Sequence, residues 1–417
     1  MTKARILADY VAGGTTAAEF DYMDGVTSNV QTQLDAKLAL AGGTMTGDLV
    51  PATPLSHRNI VINGAMKISQ RGTQEHPVDT TNYSACDRFQ VHNRTAGTCD
   101  TYSDSESPDD KGFNNSLKVD ITNASDLSTT DNEAVIGTYF EGQDLQQIRK
   151  GTSEALPLTL SFWVRSPKTG IHIVELYDFD SSTQRFVSAP YTISTANTWQ
   201  FVTHTFPADT ASGKEFDNDN AKSLGIQWWL CAASDFTSGT LDQTWRDEAS
   251  NANRAVGQVN VFDNASNNFY LTGVQLELGS NATPFEHRSY GDEFIRCERY
   301  YSTSFEDHIK PVGSPASAFN SKHLYYHIYP YVDSHFAGIE VVYKTKMRTS
   351  PSVTFWTGRG SPDATSGRVA YWDGSWSNNN GFSVDTTGSG PYGFNLGGTI
   401  NSSTRLTQFN FTADAEL

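Results

Sequence analysis

The stretch Leu271-Thr-Gly-Val-Gln-Leu-Glu-Leu-Gly-Ser-Asn-Ala-Thr-Pro-Phe-Glu-His-Arg-Ser-Tyr-Gly-Asp-Glu-Phe-Ile-Arg-Cys-Glu-Arg-Tyr-Tyr301 changes its period part-way along. Val274, Leu276 and Leu278 alternate with Gln275 and Glu277, which is the period of a strand with one buried face. Phe269 and Leu271 lie on the opposite parity, so the phase slips at Gly273, and a β-bulge there is the simple explanation. Beyond Pro284 the spacing becomes helical: Tyr290, Phe294, Cys297 and Tyr301 share a face, Ser289 is placed to cap, and Asp292 and Arg296 form an acid-then-base pair four apart. A strand ending one region and a short amphipathic helix opening the next are therefore expected.

Working outward, residues 55–288 carry many short alternating runs between polar, turn-rich loops. Leu117/Val119/Ile121, Leu158/Leu160/Phe162/Val164, Trp199/Phe201 and Leu224/Ile226/Trp228/Leu230 each read as the buried face of a strand. Strand-helix-strand alternation is missing, so an antiparallel β-sandwich is expected rather than a parallel α/β sheet. Residues 289–303 read as a linking helix and residues 304–417 as a second β-rich region, in which the span from Thr357 to Thr404 reads as loop. Residues 1–54 form an N-terminal segment, where Val26, Val30, Leu34 and Leu38 make one apolar stripe on an otherwise polar helix. Such a stripe needs cover, either from its own chain or from copies of itself.

The 417 residues carry a formal charge of −17, and that field repels phosphate backbones and anionic lipid. Nucleic acid is disfavoured as a partner. No apolar run approaches the length of a membrane span or a signal peptide, so neither membrane insertion nor export is expected, and synthesis and folding in a cytoplasm follow. Cys86, Cys99, Cys231 and Cys297 lack paired C-x-x-C spacing and read as buried free thiols.

Acid-base catalysis needs two carboxylates held apart in a cleft, and no local signature selects a pair among 47 acidic residues. Glu175, Asp178 and Asp180 fall near strand ends, where a solvated edge is the simpler reading. G-x-S-x-G and H-E-x-x-H are absent, and no enzymatic activity is expected. Aromatic residues are the better lead, because sugars stack their apolar C–H faces on rings while polar groups hold the hydroxyls. Trp356, Tyr371, Trp372, Trp376 and Tyr392 lie among Gly, Ser and Asn in loop-like sequence. Trp163 and Trp229 fall on the strand faces opposite the main apolar stripes. These seven are the candidate receptor or glycan contacts, weighed against core packing or subunit contact for each.

The run Gln275-Leu-Glu-Leu-Gly-Ser-Asn-Ala-Thr-Pro-Phe-Glu286 followed by Cys297-Glu-Arg-Tyr-Tyr301 resembles a passage of bacteriophage tail fibre proteins that ends a jelly-roll sandwich. Tyr83-Ser-Ala-Cys-Asp-Arg-Phe89, Phe140-Glu-Gly-Gln-Asp-Leu145, Leu158-Thr-Leu-Ser-Phe-Trp-Val-Arg-Ser166 and Ala196-Asn-Thr-Trp199 are similar to other segments of the same family. Met347-Arg-Thr-Ser-Pro-Ser-Val353 and the final Phe409–Leu417 resemble its C-terminal domain. Cys86 and Phe89 depart from the usual Ala-Asp-Arg-Trp. The resemblance implies a structural virion protein: a homotrimer packed about the stripe Val26/Val30/Leu34/Leu38, joined through residues 1–54 to other tail proteins, and meeting a host-surface glycan or protein through its C-terminal tip. A glycan depolymerase of the tailspike kind and a monomeric carbohydrate-binding module are the alternatives. No cofactor is implied beyond a structural calcium, for which Asp178-Phe-Asp180 and Asp217-Asn-Asp-Asn220 offer oxygens without the spacing of a full calcium loop. His323 and His327 share a strand face but lack the His-x-His repeat by which some tail fibre tips hold iron.

Overall fold

The computed structural model describes residues 56–78, 80–246, 249–305, 324–326, 336–357, 369–372, 376–379, 382–399 and 406–417. The apolar stripe Val26/Val30/Leu34/Leu38 and the pair His323/His327 lie outside them. Among the described residues, twelve strands build a jelly-roll sandwich: β1 (Gln74–Val78), β2 (Thr81–Tyr83), β3 (Gln90–Asn93), β4 (Thr98–Asp104), β5 (Ser116–Asn123), β6 (Glu133–Glu141), β7 (Leu158–Arg165), β8 (Gly170–Asp178), β9 (Arg185–Ile193), β10 (Gln200–Phe206), β11 (Lys222–Ala232) and β12 (Asn268–Leu278). One sheet runs β1-β4-β5-β12-β7-β10 and the other β2-β3-β6-β11-β8-β9. The pairings are antiparallel, as the alternation predicts.

Burial explains the pairing. Leu117, Val119 and Ile121 of β5, Leu160, Phe162 and Val164 of β7, and Leu276 of β12 meet Leu224, Ile226, Trp228 and Leu230 of β11 in one core. Phe89, which stands where the resembled family has Trp, is fully buried with its ring 6.3 Å from that of Trp228. Truncating one such aliphatic side chain to alanine costs ~2–5 kcal/mol. The four cysteines are buried and free.

The phase slip in β12 is a bulge. Thr272 pairs with Trp163 and Gln275 with Ser161, so Gly273 and Val274 together face the single residue Phe162. Gly273 takes φ +62°, a left-handed conformation that glycine adopts without a Cβ clash. The extra residue lets Phe269 and Leu271 face the same core as Val274, Leu276 and Leu278.

Two helical segments matter here. The short α1 (Ser234–Thr237) lies in the segment that covers the outer face of the second sheet. The second, α2 (Tyr290–Glu298), follows the sandwich, and its Ser289 Oγ caps it by accepting from the Asp292 amide at 3.2 Å. The expected face is only partly the buried one. Cys297 and Tyr301 are buried, but Tyr290 is 46 % exposed, stacked on Phe294 at 6.0 Å. Glu293 turns inward instead, because its carboxylate accepts from the Asn63 amide and faces Arg288. A satisfied carboxylate wins the place that periodicity assigns to a ring.

The second β region comprises β13 (Tyr301–Thr303), β14 (Leu324–Tyr326), β15 (Phe336–Val342), β16 (Ser352–Thr357), β17 (Val369–Trp372), β18 (Trp376–Asn379), β19 (Phe382–Gly390), β20 (Gly393–Thr399) and β21 (Leu406–Asp414). Strand β21 pairs with β13, β14, β16 and β17, and β15-β20-β19 form a separate sheet. The span 357–404, expected as loop, therefore holds strands at 369–372, 376–379, 382–390 and 393–399. Its Gly, Ser and Asn residues cut the apolar alternation to single pairs, Phe382/Val384 and Phe394/Leu396, too short to stand out from loop sequence. Past β21 the chain packs on the sandwich: the Glu416 carboxylate meets Arg88 and Arg71, and Tyr83 donates to the Leu417 carbonyl at 2.8 Å. The Arg88 and Arg71 guanidinium groups lie 3.4 Å and 3.8 Å over the rings of Tyr300 and Tyr301.

Candidate functional site

Of the three carboxylates near strand ends, Glu175 and Asp178 are buried and paired with cations, while Asp180 is half-buried. Glu175, fully buried in β8, is held by Arg254 through Nε at 3.1 Å and through Nη2, which also reaches Gln227 at 2.8 Å. Burial pushes its carboxyl upward, and the guanidinium opposes that shift. Asp178 accepts from Lys150 Nζ at 2.7 Å, from Ser181 Oγ at 2.8 Å and from the Asp180 amide at 2.9 Å. The fold does bring Asp178, Asp180 and Asp217 together, since Asp180 accepts from the Asp217 amide at 2.9 Å. However, the Asp178 carboxylate is already engaged by the Lys150 ammonium. Among the described residues no cluster of three or more His, Cys, Asp or Glu is spaced to hold a metal.

Trp229 is also corrected. It points away from the main core as its parity requires, but the segment carrying α1 lies over it. Its ring contacts Phe236 at 5.2 Å and the Arg254 guanidinium at 4.9 Å, and it is fully buried. A ring with no exposed surface offers a sugar nothing to stack on.

Trp163 differs. Its strand pairs with β10 so that Trp163 lies directly opposite Phe201 and, on the other side, opposite Thr272. Cross-strand partners share a face, so these side chains stand on the outer face of the first sheet. The Trp163 and Phe201 rings lie 5.2 Å apart at 44°, with Trp163 half-buried and Phe201 48 % exposed. Reading Trp199/Phe201 as a buried stripe was thus the wrong face: in β10 it is Phe206 that enters the core.

The bulge builds the base of this pair. A Cβ on Gly273 would lie 2.7 Å from Phe113 Cζ and 3.0 Å from Trp163 Cδ1, so the missing side chain is what lets both rings settle there. A second register row crosses the same face, running Gln74–Tyr102–Lys118–Tyr270–Arg165 over five strands. Arg165 pairs with Glu106, donates to the Asn197 carbonyl at 3.0 Å and lies 5.0 Å over Tyr270, against which Trp199 packs edge-on at 6.0 Å. Lys111 Nζ lies 5.9 Å from the Trp163 ring. The result is an aromatic platform of two tilted rings flanked by a fixed guanidinium, an ammonium, a carboxylate and hydroxyls such as that of Thr203, the combination that stacks a sugar ring and holds its hydroxyls.

Sequence reading isolated Trp163 but missed Phe201, Trp199, Arg165 and Lys111. The available signal was the outward parity of Leu158–Arg165, where Trp163 and Arg165 alternate with the core residues. Of the C-terminal candidates, Trp356 lies in β16, Tyr371 and Trp372 in β17, and Trp376 in β18, with Trp372 opposite Trp376 in the β17–β18 pair. They are strand residues rather than loop residues. Tyr392, at the β19–β20 turn, is 64 % exposed with Lys346 Nζ 5.4 Å over its ring. No register pairing joins these residues to the Trp163 face.

No family model matches the sequence, and no curated protein matches it. Among solved structures, the enzymatically active domain of tailspike protein 4 from bacteriophage CBA120 is similar over 53 % of this chain at 13 % identity and a TM-score of 0.26. The similarity spans about a fifth of the tailspike chain (21 %). A family 4 carbohydrate-binding module is similar over 52 % of this chain and 97 % of its own length, at 10 % identity and a TM-score of 0.27. A putative sugar-binding protein from Bacteroides thetaiotaomicron is similar over 53 % of this chain and 100 % of its own, at 11 % identity and a TM-score of 0.28. The functional reading rests on the residues of this chain.

Proposed function

We propose that this chain is a virion tail fibre protein that recognises a host-surface glycan, with the Trp163–Phe201 platform as its saccharide contact. The half-exposed ring pair, set on paired strands by the Gly273 bulge, is the observation that carries the saccharide reading. The motifs around Gln275–Glu286 and Met347–Val353 carry the virion reading. Recognition is binding without bond cleavage: a stacked platform gives modest affinity per site, and several copies on one particle raise it through effective concentration. A homotrimer supplies three platforms per fibre, and residues 1–54 supply the attachment to other tail proteins.

Binding of the full chain to purified host polysaccharide tests this directly. Phe201→Ala and Trp163→Ala each weaken binding by about tenfold, equivalent to about 1.4 kcal/mol, with no change in far-ultraviolet circular dichroism. Unchanged affinity in both variants would remove the platform from the mechanism, and new reducing ends on incubation would favour a depolymerase instead. Solution mass tests the assembly, since a trimer has three times the chain's 45.8 kDa and a monomeric module does not.

A further inference from the structure

An open groove of about 570 Å³ lies where the sandwich hands over to α2, lined in part by His57, Glu286, His287, Arg288, Asp292 and Arg296. Its acidic groups are already committed. Glu286 accepts from the amides of Arg58 at 3.2 Å and Asn59 at 3.0 Å and meets Arg288, while Asp292 accepts from Ser289 Oγ at 2.7 Å. Arg288 is committed as well, to the Val61 and Asn59 carbonyls and to Glu293. Arg296 makes no hydrogen bond or close ion pair among the described residues, although Asp144 lies within its field, and His57 is bonded there only through its backbone amide, to Glu286. Burial disfavours protonation of the His287 ring, and the nearby Lys67 ammonium adds to that. One guanidinium without a hydrogen-bond partner among the described residues, that of Arg296, thus lines a groove of a chain whose formal charge is −17.

The groove adjoins the aromatic platform. His287 packs on Phe113 at 5.3 Å, and Phe113 shares with Trp163 the space above Gly273. A Cβ on Gly112 would lie 3.2 Å from His287 Nε2, and the next residue back, Lys111, reaches over Trp163. A ligand lying on the platform therefore reaches the groove across residues 111–113. The exposed Asp109 and Asp110 precede that bridge, and neither lines the groove. We infer that the groove around Arg296 and His57 binds the anionic group, a carboxylate or a phosphate, of an acidic glycan whose neighbouring ring stacks on Trp163 and Phe201. The anion site stands on its own geometry, whereas the word glycan rests on the saccharide reading above.

The test uses the full chain with histidine rings isotopically labelled, at fixed pH and ionic strength. Inorganic phosphate and glucuronate are titrated separately, with chloride and glucose as controls, while the ring protons of His57 and His287 are followed by NMR. Saturating shifts with phosphate, glucuronate or both, and none with chloride or glucose, are expected, and the arm that saturates more tightly identifies the anionic group. Arg296→Gln weakens that saturation about tenfold, as loss of a charge-assisted contact should. Lys168→Gln, which removes a cation paired with Asp263 elsewhere, leaves it unchanged. No saturating shift with either anion, or equal saturation in Arg296→Gln and the wild type, overturns the inference. Saturation in a protein whose platform binds no saccharide would leave the anion site standing and sink the glycan reading. Saccharide binding without anion saturation would do the reverse.

Discussion

Gly273→Ala perturbs the fold and the platform at one atom. The residue has φ +62°, and a left-handed conformation costs a non-glycine residue ~1–2 kcal/mol. The added methyl would lie 2.7 Å from Phe113 Cζ and 3.0 Å from Trp163 Cδ1, whereas carbon atoms prefer roughly 3.5–4.0 Å. Both rings must therefore retreat by up to ~1 Å, and overpacking of this kind costs about 1–3 kcal/mol. Together these predict a loss of about 2–5 kcal/mol, nearer the lower figure if the exposed side of Trp163 yields. Urea unfolding followed by tryptophan fluorescence measures the loss, and saccharide affinity should fall with it because Trp163 is displaced from its place beside Phe201. Gly291→Ala is the counterpart: nothing lies within 4 Å of its Cβ position, and alanine in a helix gains ~0.5–1 kcal/mol over glycine. If Gly273→Ala stays within ~0.5 kcal/mol of wild type and binds saccharide unchanged, the bulge does not position the platform.

Lys150→Met should destabilise the sandwich by ~3–5 kcal/mol, because it leaves the buried Asp178, which the ammonium reaches at 2.7 Å, without a counter-charge, and takes from Asp209 one of its two cations, the other being Arg185. A denaturant midpoint that does not move would show that water or another group serves those carboxylates. Burial among Tyr191 and Phe269 lowers the His172 pKa to about 4, so the folded chain keeps the ring neutral where the unfolded chain protonates it. Its contribution is complete above pH ~6.5 and lost progressively as pH falls towards ~4, by roughly 3 kcal/mol in all. Midpoints measured from pH 7.5 down to 4.5 should therefore slope in wild type and flatten in His172→Phe, and parallel curves would refute the assignment.

Parity along a strand is decided by whichever face the core needs, which is why Leu117–Ile121, Leu158–Val164 and the Gly273 slip are legible from residues alone. The same argument identifies which residues face away from the core, but not what lies over them. Trp163 and Trp229 are equivalent by parity, yet the segment carrying α1 buries Trp229 and leaves Trp163 half-exposed. That cover is a long-range packing event with no local signature. Glu175 and Asp178 make the same point for charge, since their partners Arg254 and Lys150 are 79 and 28 residues away along the chain. A carboxylate's isolation or neutralisation is invisible until the loops are placed. Where apolar alternation shrinks to single pairs, as at Phe382/Val384 and Phe394/Leu396, even the strands escape notice among Gly, Ser and Asn.

The platform itself belongs to the illegible class for a definite reason. Trp163 and Phe201 come from paired strands whose connection along the chain runs through the other sheet, Phe113 comes from a loop between β4 and β5, and His287 follows β12. Two of its residues announce themselves in sequence: Trp163 by its outward parity, and Gly273, which lets Trp163 and Phe113 close in, because it breaks a period. A period break in a central strand beside an outward-facing aromatic is therefore a more specific sign of a binding face than the aromatic alone. The break marks where the backbone has yielded room, and the ring marks what has used it.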